Sequence, residues 1–358
     1  MPIIDADAHI IETEDTWNYM APGEERYRPI SRTDPAADAS VPSAYWQFDV
    51  MREPRMIGND AMTGTTAATR ELLDVPARVR HMDELGIDVH VLYPTVLLQG
   101  VTADPAVELA LRRSYNRWLA DKCASTKGRL RWVCAPPMLS IDKAIAELRF
   151  AKDHGACGVL KKGDVEAGKW PNDPYFFPLY EEAERLDMPI CFHTGTGVPE
   201  LLPAEKFLYG RLQRLTLPVA AAVHSMLLFD IPGKFPKLRF AFVEAGAAWL
   251  TFIVGNLKRR AEKIASGNAL SFREINLADD ILRANRIYVT CFPDEDLPYL
   301  LRTFGSDNLI AGSDYGHADP ARENGFVERI RGRAAKGDFS IEAADKILYH
   351  NAKAVYGL

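Results

Sequence analysis

IIDADAHIIE (residues 3–12) opens the chain with an apolar run that carries acids at alternate positions and then a histidine. In an extended strand successive side chains face opposite sides, so Asp5, Asp7 and His9 share one face and the apolar residues between them share the other. Burying three ionisable side chains on one face needs a reason. The stretch therefore predicts a first strand whose polar face belongs to a functional site.

Seven further apolar runs follow, each introduced by a turn or a glycine. The runs occupy 87–95, 129–137, 157–162, 188–195, 238–246, 286–292 and 308–314. The candidate helices lie near 76–85, 105–125, 141–154, 174–186, 217–230, 247–264, 295–304 and 320–335, before a last helix that closes the chain. Strict alternation indicates a parallel sheet, and eight strand–helix units predict a closed (β/α)8 barrel, the TIM barrel. A doubly wound open sheet is the alternative, but no G-x-G-x-x-G follows the first strand.

One connection is much longer than the others. Residues 13–72 separate the first strand from its helix and are rich in Pro, Asp, Thr and aromatic residues. A connection of that length is usually a lid, a binding insertion or a disordered segment. Because it carries Trp17, Trp46 and Phe48, we expect it to be folded. The prediction is one barrel domain over 1–358 with a lid-like insertion after its first strand.

The composition argues against several classes of function. The 358 residues are 47% hydrophobic and 26% charged, and the net charge of −6 provides no basic field for nucleic acid. No apolar run reaches the ~18 residues of a membrane span, and the start lacks the pattern of a signal peptide. The five cysteines form no C-x-x-C pair, which argues against thiolate zinc sites. We expect a cytoplasmic enzyme that acts on a small molecule and binds neither nucleic acid nor membrane.

Ionisable side chains collect at the carboxyl ends of the predicted strands, where barrel enzymes build their active sites. They are Asp7, His9, Lys161, Lys162, His193, Glu244 and Asp314. Taken singly, a strand-end aspartate is commonly a helix cap, and a lone histidine is commonly a core or surface residue. Two imidazoles and several carboxylates contributed by four different strands predict a divalent-metal site.

The chain also resembles a known family through motifs spread over nearly its whole length. The motifs are IIDADAHIIE, RVRHMDELGIDVHVLYPT, MPICFHTGTG, KFPKLRFAFVEAGAAWL, IYVTCF, LIAGSDYGHAD and KILYHNAKAVYG. They resemble the amidohydrolase-related proteins of the amidohydrolase superfamily, whose members include aminocarboxymuconate semialdehyde decarboxylase and γ-resorcylate decarboxylase. The resemblance implies a (β/α)8 barrel that holds a metal through Asp7, His9, His193 and Asp314. It also implies a homo-oligomer, or a hetero-oligomer with a related subunit.

The sequence departs from these relatives at one chemically important position. The best-known decarboxylases carry a histidine after the sixth strand, where this chain has Glu244. One divalent ion neutralises Asp7 and Asp314, which leaves Glu12 and Glu244 as unpaired carboxylates with raised pKa values in a water-poor mouth. A second ion would balance them, with His224 as a further ligand, and these hard ligands favour Zn, Fe or Mn. We therefore expect one or two divalent ions; the alternatives are a loop acid or helix cap for Glu12 and an ordinary helix residue for His224.

Five other residues have open assignments. His317 in SDYGHAD is expected to orient the aspartate of that motif or to meet substrate. Arg52 and Arg55 in the insertion are candidates for clamping a substrate carboxylate, and an ordinary surface role is the alternative. For Lys161 and Lys162 the alternatives are a carboxylated bridging lysine, as in dinuclear members of the superfamily, and a surface pair.

Three functions fit these residues. The leading interpretation is a metal-dependent hydrolase of a small carboxylated or cyclic substrate, in which Glu244 or Asp314 removes a proton from metal-activated water. The first alternative is a dinuclear Fe or Fe/Mn oxidoreductase that activates oxygen to hydroxylate a small acid, which the D-x-H-x-x-E pattern with Glu244 favours. The second is non-oxidative decarboxylation of an aromatic or enoic acid, against which the missing histidine counts.

Overall fold

The chain was described from a computed structural model, which covers residues 1–33, 44–48, 51–55, 60–193, 212–267, 277–318 and 321–358. The strands of these ranges are β1 (Ile4–His9), β2 (Ile30–Thr33), β3 (Ala44–Phe48), β4 (Met51–Pro54), β5 (Val89–Tyr93), β6 (Leu130–Cys134), β7 (Ala156–Lys162), β8 (Ile190–His193), β9 (Phe240–Phe242), β10 (Ile287–Thr290) and β11 (Leu309–Ile310). The α-helices are α1 (Asp60–Thr63), α2 (Ala67–Arg70), α3 (Val75–Glu84), α4 (Pro105–Ala124), α5 (Ile141–Asp153), α6 (Phe177–Arg185), α7 (Leu217–Leu228), α8 (Ile231–Lys234), α9 (Leu250–Ala265), α10 (Ile281–Ala284), α11 (Leu297–Phe304), α12 (Phe326–Ala335), α13 (Ile341–Asp345) and α14 (Asn351–Tyr356). Short 3-10 turns cover Glu14–Tyr19, Glu25–Tyr27, Val96–Leu98 and Pro174–Phe176, and π turns cover Leu212–Thr216 and Lys346–His350.

Eight of the strands form one parallel sheet in the order β1-β5-β6-β7-β8-β9-β10-β11. The sheet closes on itself between its first and last strands. The backbone nitrogen of Ala6 donates to the carbonyl oxygen of Ala311 at 3.0 Å, and that of Asp314 donates to the carbonyl oxygen of Asp7 at 2.9 Å. The predicted (β/α)8 barrel is therefore confirmed, and the doubly wound open sheet is excluded.

The alternating sequence forms this barrel because each strand is covered on both faces. All seven residues of β7 are buried, as expected where side chains fill the barrel on one face and helices cover the other. Aspartates cap the start of several outer helices. The side chain of Asp74 accepts a hydrogen bond from the backbone nitrogen of Ala77 in α3, and the side chain of Asp104 accepts one from the backbone nitrogen of Ala106 in α4. These caps fix where each helix leaves its loop.

The long connection after β1 is folded where the structure describes it. Strands β2, β3 and β4 form a separate antiparallel sheet. Trp17, Trp46 and Phe48 are each 1% exposed, and the two indole rings meet edge to face with centroids 5.9 Å apart. The hydroxyl of Ser114 in α4 donates to the carbonyl oxygen of Thr16 at 2.7 Å, which ties the insertion to the barrel's outer layer. Residues 34–43, 49–50 and 56–59 of this connection lie outside the described ranges.

Two general features follow from the described residues. None of the helices in these ranges is long and apolar enough to cross a membrane. All five cysteines are free and buried. Burial raises the pKa of the thiols of Cys123, Cys157 and Cys191 to about 12, so these side chains are protonated core residues at neutral pH.

Candidate metal centre

Four strand ends deliver five ionisable side chains to one point inside the barrel mouth. Asp7 and His9 come from β1, His193 ends β8, Glu244 follows β9 and Asp314 follows β11. Each of the five is at most 3% exposed. Asp7 and His9 share a strand face because they are two residues apart, as the sequence indicated.

The distances between the donor atoms suit a single ion. His9 Nε2 lies 3.4 Å from Asp7 Oδ1, 3.6 Å from Glu244 Oε2 and 3.5 Å from Asp314 Oδ1. His193 Nε2 lies 3.4 Å from Asp7 Oδ1 and 3.1 Å from Glu244 Oε2. Ligands that bind one ion at about 2.1 Å are themselves roughly 3.0 to 3.4 Å apart in octahedral and tetrahedral sites. The cluster therefore has nearly the dimensions of a coordination shell.

The charges of the cluster shift one another's pKa values. Burial by itself lowers the pKa of His9, but Asp7 and Glu244 outweigh it and raise that pKa to about 10. Burial by itself raises the pKa of Asp7, but His193 and His9 outweigh it and hold it well below its usual range. A protonated His9 places a positive charge between these carboxylates, and a bound cation would take over that role.

The hydrogen bonds around the cluster leave atoms that would bind a metal available. Within the described part of the chain, Asp7 Oδ1 and His9 Nε2 are buried without a hydrogen-bond partner. His9 Nδ1 lies 2.8 Å from the carbonyl oxygen of Pro94, which can only accept, so Nδ1 carries a proton and Nε2 is the atom left for a metal. The residues present thus fit a divalent ion held by Asp7, His9, His193 and Glu244, which form one group of donors within 4.8 Å of one another.

Asp314 and His317 form a second group with His9 and Glu244. His317 Nδ1 lies 2.7 Å from Asp314 Oδ1, and its ring stacks on that of His9 with centroids 4.0 Å apart. Both groups depend on Nε2 of His9, because its other nitrogen is bonded to Pro94. One imidazole lone pair binds one ion, so the two groups cannot both use His9 at the same time.

Two carboxylates of the cluster occupy strained backbone positions. Glu244 has φ of 65° and Asp314 has φ of 51°, the left-handed region that side chains with a Cβ seldom adopt. Each follows a short barrel strand, and the sharp turn directs its carboxylate into the mouth. Gly246 has φ of 67°, and a Cβ there would lie 2.9 Å from the ring of Phe292. The turn after β9 therefore requires glycine two residues beyond Glu244.

The structure does not bring Glu12 to the cluster. Its buried carboxylate accepts hydrogen bonds from three consecutive backbone nitrogens, those of Thr95, Val96 and Leu97. His224 lies half-buried on α7, where it lines a surface groove with Trp249. These positions correct the expectation that both residues are ligands. They also remove the basis in the sequence for a second ion.

Arg52 and Arg55 serve the sheet of the insertion. Arg52 is exposed, with its guanidinium 4.8 Å from the ring centre of Tyr45. Arg55 donates to the hydroxyl of Ser31 at 2.8 Å and forms an ion pair with Glu14 at 3.0 Å. Neither is among the described residues that line the narrow cleft beside the cluster. Their contacts agree with the ordinary structural alternative.

Lys161 and Lys162 are buried, so the surface-pair alternative is wrong. Lys161 Nζ lies 2.7 Å from Glu166 Oε2 and 4.1 Å from the ring centre of Phe176. Lys162 Nζ lies 3.4 Å from Asp164 Oδ1. Burial lowers the pKa of Lys161, and Glu166 opposes that shift. Both ammonium groups pair with acids of the loop after β7, so Lys161 is engaged as a cation rather than as a bridge between metals.

Several supporting residues were not assigned a role from the sequence. The side chain of Asp5 accepts hydrogen bonds from the backbone nitrogens of Asp7 at 3.2 Å and Ser313 at 2.9 Å. It thereby joins β1 to the segment that follows β11. Arg78 of α3 is fully buried and donates to the carbonyl oxygen of His9 at 3.2 Å. Asp5 shares the ligand face of the first strand, which could have indicated its role. Arg78 lies on a distant helix, and no sequence pattern connects it to His9.

A closed (β/α)8 barrel with buried imidazoles and carboxylates at the carboxyl ends of its strands defines a class of barrel enzymes with a candidate divalent-metal site. The family model described as amidohydrolase matches residues 4–358. The chain therefore belongs to the amidohydrolase family, as its motifs predicted.

Several relatives are named decarboxylases. The chain is 23% identical over 297 residues to the 2-amino-3-carboxymuconate-6-semialdehyde decarboxylase of Dictyostelium discoideum, covering 80% of this chain and 77% of that protein. An amidohydrolase from Mycobacterium avium subsp. paratuberculosis has a similar fold, with a TM-score of 0.78, 19% identity and coverage of 100% and 98%. So does a 5-carboxyvanillate decarboxylase from Novosphingobium aromaticivorans in complex with manganese, with a TM-score of 0.67, 17% identity and coverage of 100% and 96%. The protein is thus an enzyme of the amidohydrolase superfamily with decarboxylases among its relatives.

Proposed function

We propose that this protein is a divalent-metal-dependent, non-oxidative decarboxylase of a small aromatic or enoic carboxylic acid. The observation that carries the proposal is the contact between Asp314 Oδ1 and His317 Nδ1, 2.7 Å apart beside the metal ligands. The named activity of the relative from Dictyostelium discoideum supports the same choice. The proposal replaces hydrolysis, the leading interpretation from the sequence.

Four residues would hold the ion. Asp7, His9, His193 and Glu244 meet from three strand ends, and their dimensions and burial suit a small hard cation such as Mn²⁺. When bound, the ion supplies a Lewis acid that holds the substrate's carboxylate and stabilises negative charge as the carbon–carbon bond breaks. In the decarboxylases that the chain resembles, the histidine after the sixth strand helps to activate water or to protonate the substrate. Glu244 stands in its place here and would bind the ion, so this chain needs another group to deliver a proton.

Asp314 and His317 can provide that proton. The hydroxyl of Thr95 donates to the carbonyl oxygen of Ile10 at 2.6 Å, so its oxygen accepts from His317 Nε2 at 2.8 Å. With its proton on Nε2, neutral His317 turns the lone pair of Nδ1 towards Asp314 Oδ1. A carboxylate oxygen and a lone pair 2.7 Å apart require a proton between them.

The reaction is balanced by this single proton. Cleavage releases carbon dioxide and leaves the bonding electron pair on the substrate carbon. The proton held between Asp314 and His317 then forms the new carbon–hydrogen bond. Water restores the proton to the pair, and the hydroxide left behind combines with carbon dioxide to give bicarbonate. Burial, His9 and His193 hold the pKa of His317 well below its usual range, which opposes a second proton on this imidazole.

The hydroxylase alternative loses its structural basis. It depended on a carboxylate-rich pair of ions with Glu12 and His224 among the ligands. Glu12 binds the backbone of the loop after β5, and His224 lies on α7. We therefore propose neither the second ion nor oxygen activation.

A substrate-class experiment tests the proposal. The Mn²⁺-loaded protein is incubated in D₂O with hydroxylated benzoic acids and short enoic diacids, and separately with lactones and amides of similar size. We expect carbon dioxide from one of the acids, together with one deuterium at the carbon that lost the carboxylate. Asp314→Asn should lose this activity. Hydrolysis of a lactone or amide without any carbon dioxide release would refute decarboxylation and restore the hydrolase interpretation.

A further inference from the structure

The loop after β5 orients two imidazoles of the site at once. Pro94 provides the carbonyl oxygen that accepts from Nδ1 of His9 at 2.8 Å. Thr95 provides the hydroxyl that lies 2.8 Å from Nε2 of His317. A shift of this loop would therefore turn both rings, because each ring is oriented by an atom of the loop.

Glu12 holds the loop in place. Its two carboxylate oxygens receive the backbone N–H groups of Thr95 at 3.2 Å, Val96 at 3.0 Å and Leu97 at 3.3 Å. Glu12 is 1% exposed, so water does not compete for these bonds. Hydrogen bonds to a carboxylate are about twice as strong as those between neutral groups, which makes the three together a strong restraint.

A buried cation also holds the same loop. Arg112 of α4 is 2% exposed and donates to the carbonyl oxygen of Leu97 at 2.8 Å. The loop thus donates N–H groups to a buried carboxylate and accepts at a carbonyl from a buried guanidinium. Neither charge belongs to the donor groups of the metal centre in the described residues.

We infer that Glu12 is a positioning residue of the metal centre, which fixes the ring orientations of His9 and His317 through the loop Pro94–Leu97. The inference rests on the metal centre of the proposed function and is independent of decarboxylation. Removing an interaction that orients a metal-binding histidine typically costs about 10- to 100-fold in metal affinity. A loss of that size is expected when the carboxylate of Glu12 is replaced by an amide, whose NH₂ group cannot accept from the loop.

Glu108 offers a matched control. It is also a buried glutamate, 7% exposed, and its carboxylate accepts the backbone nitrogen of Leu139 at 2.7 Å in the loop after β6. Burial raises the pKa of both glutamates. The loop that Glu108 restrains contributes no member to the two donor groups of the described chain. A general effect of losing a buried carboxylate should appear in both the Glu12 and the Glu108 variant. A specific effect on the metal centre should appear only in the Glu12 variant.

The test compares the wild-type full chain with Glu12→Gln and Glu108→Gln, all metal-free at the start. Mn²⁺ alone is the probe, and free Mn²⁺ is measured by its electron paramagnetic resonance signal during titration. Hydrogen exchange by mass spectrometry follows the peptide that contains residues 94–99. We expect Glu12→Gln to bind Mn²⁺ about 10-fold more weakly or worse, with faster exchange in that peptide. Glu108→Gln should stay within about twofold of the wild type.

The outcomes separate the inference from the proposed function. Wild-type affinity in a folded Glu12→Gln variant would refute the role of Glu12 and leave the metal centre intact. A wild-type chain that binds no Mn²⁺ would refute the metal centre itself. If Glu12→Gln does not fold, Glu12→Asp retains the charge but is one methylene shorter and reaches fewer of the three N–H groups. That variant should also bind Mn²⁺ more weakly, and unchanged affinity would refute the inference.

Discussion

Metal binding should release a proton from His9, and this makes the affinity for Mn²⁺ depend on pH. Asp7 and Glu244 outweigh burial and raise the pKa of His9 to about 10, so the metal-free protein has a protonated imidazole at neutral pH. Nε2 must lose that proton before it can bind an ion. At pH 7, three units below this pKa, the competition costs about 4 kcal/mol of binding free energy.

The sign of the effect is fixed by the direction of the shift. Between pH 7 and pH 9 the dissociation constant for Mn²⁺ should fall about tenfold per pH unit, because the concentration of protons competing for His9 also falls tenfold per unit. The same shift stabilises the metal-free fold. Its contribution is complete below the ordinary histidine pKa of about 6.5 and is lost as the pH rises through about 10.

Anaerobic calorimetry provides the assay. Titration of Mn²⁺ at pH 7 in two buffers of different ionisation enthalpy measures the number of protons released, which should be close to one per ion. In Glu244→Gln one of the carboxylates that raises the pKa is gone, so the region of steep pH dependence should move to lower pH. A dissociation constant independent of pH, with no proton release, would refute the interpretation that a protonated His9 occupies the cation position.

Three further predictions concern the metal centre, the insertion and the thiols. Metal analysis after loading should find one ion per chain in the wild type and none in His9→Ala, because both donor groups depend on the same nitrogen of His9; two ions per wild-type chain would contradict this. Trp17→Ala should lower the free energy of unfolding in urea by roughly 3 to 5 kcal/mol, because it empties a buried aromatic cluster; a loss below about 1 kcal/mol would mean that the insertion does not stabilise the barrel. An aromatic disulfide reagent should label no cysteine in the native protein and all five after unfolding; rapid labelling of native Cys191 would contradict its burial.

The order and number of the barrel strands could be read from the sequence, but their ends could not. The run at 308–314 predicts a strand throughout, and β11 covers only Leu309–Ile310. Beyond the strand, the nitrogen of Ser313 bonds to the side chain of Asp5 rather than to the backbone of a neighbouring strand. Asp314 then takes a left-handed conformation that no regular strand allows. A hydrogen-bond partner more than three hundred residues away cannot be found from local pattern.

Glu12 illustrates the same limit at the site. Its place three residues after His9 suggested a ligand, and D-x-H-x-x-E resembles a binding motif. Beyond the end of a strand, however, sequence spacing no longer determines the direction of a side chain. Glu12 instead turns to three N–H groups of the loop after β5, because a buried carboxylate takes the donors that are near it.

The sequence by itself determined the barrel, the rim where the chemistry collects and the residue types available there, because alternation of strands and helices is a local property. It also placed Asp7 and His9 on one face through the two-residue period of a strand. Only the tertiary structure decided that Glu244 and Asp314 meet the same nitrogen of His9. Closure of the barrel brings together strand ends that are far apart in the chain, and the distances across that closure decide which carboxylates share one ion.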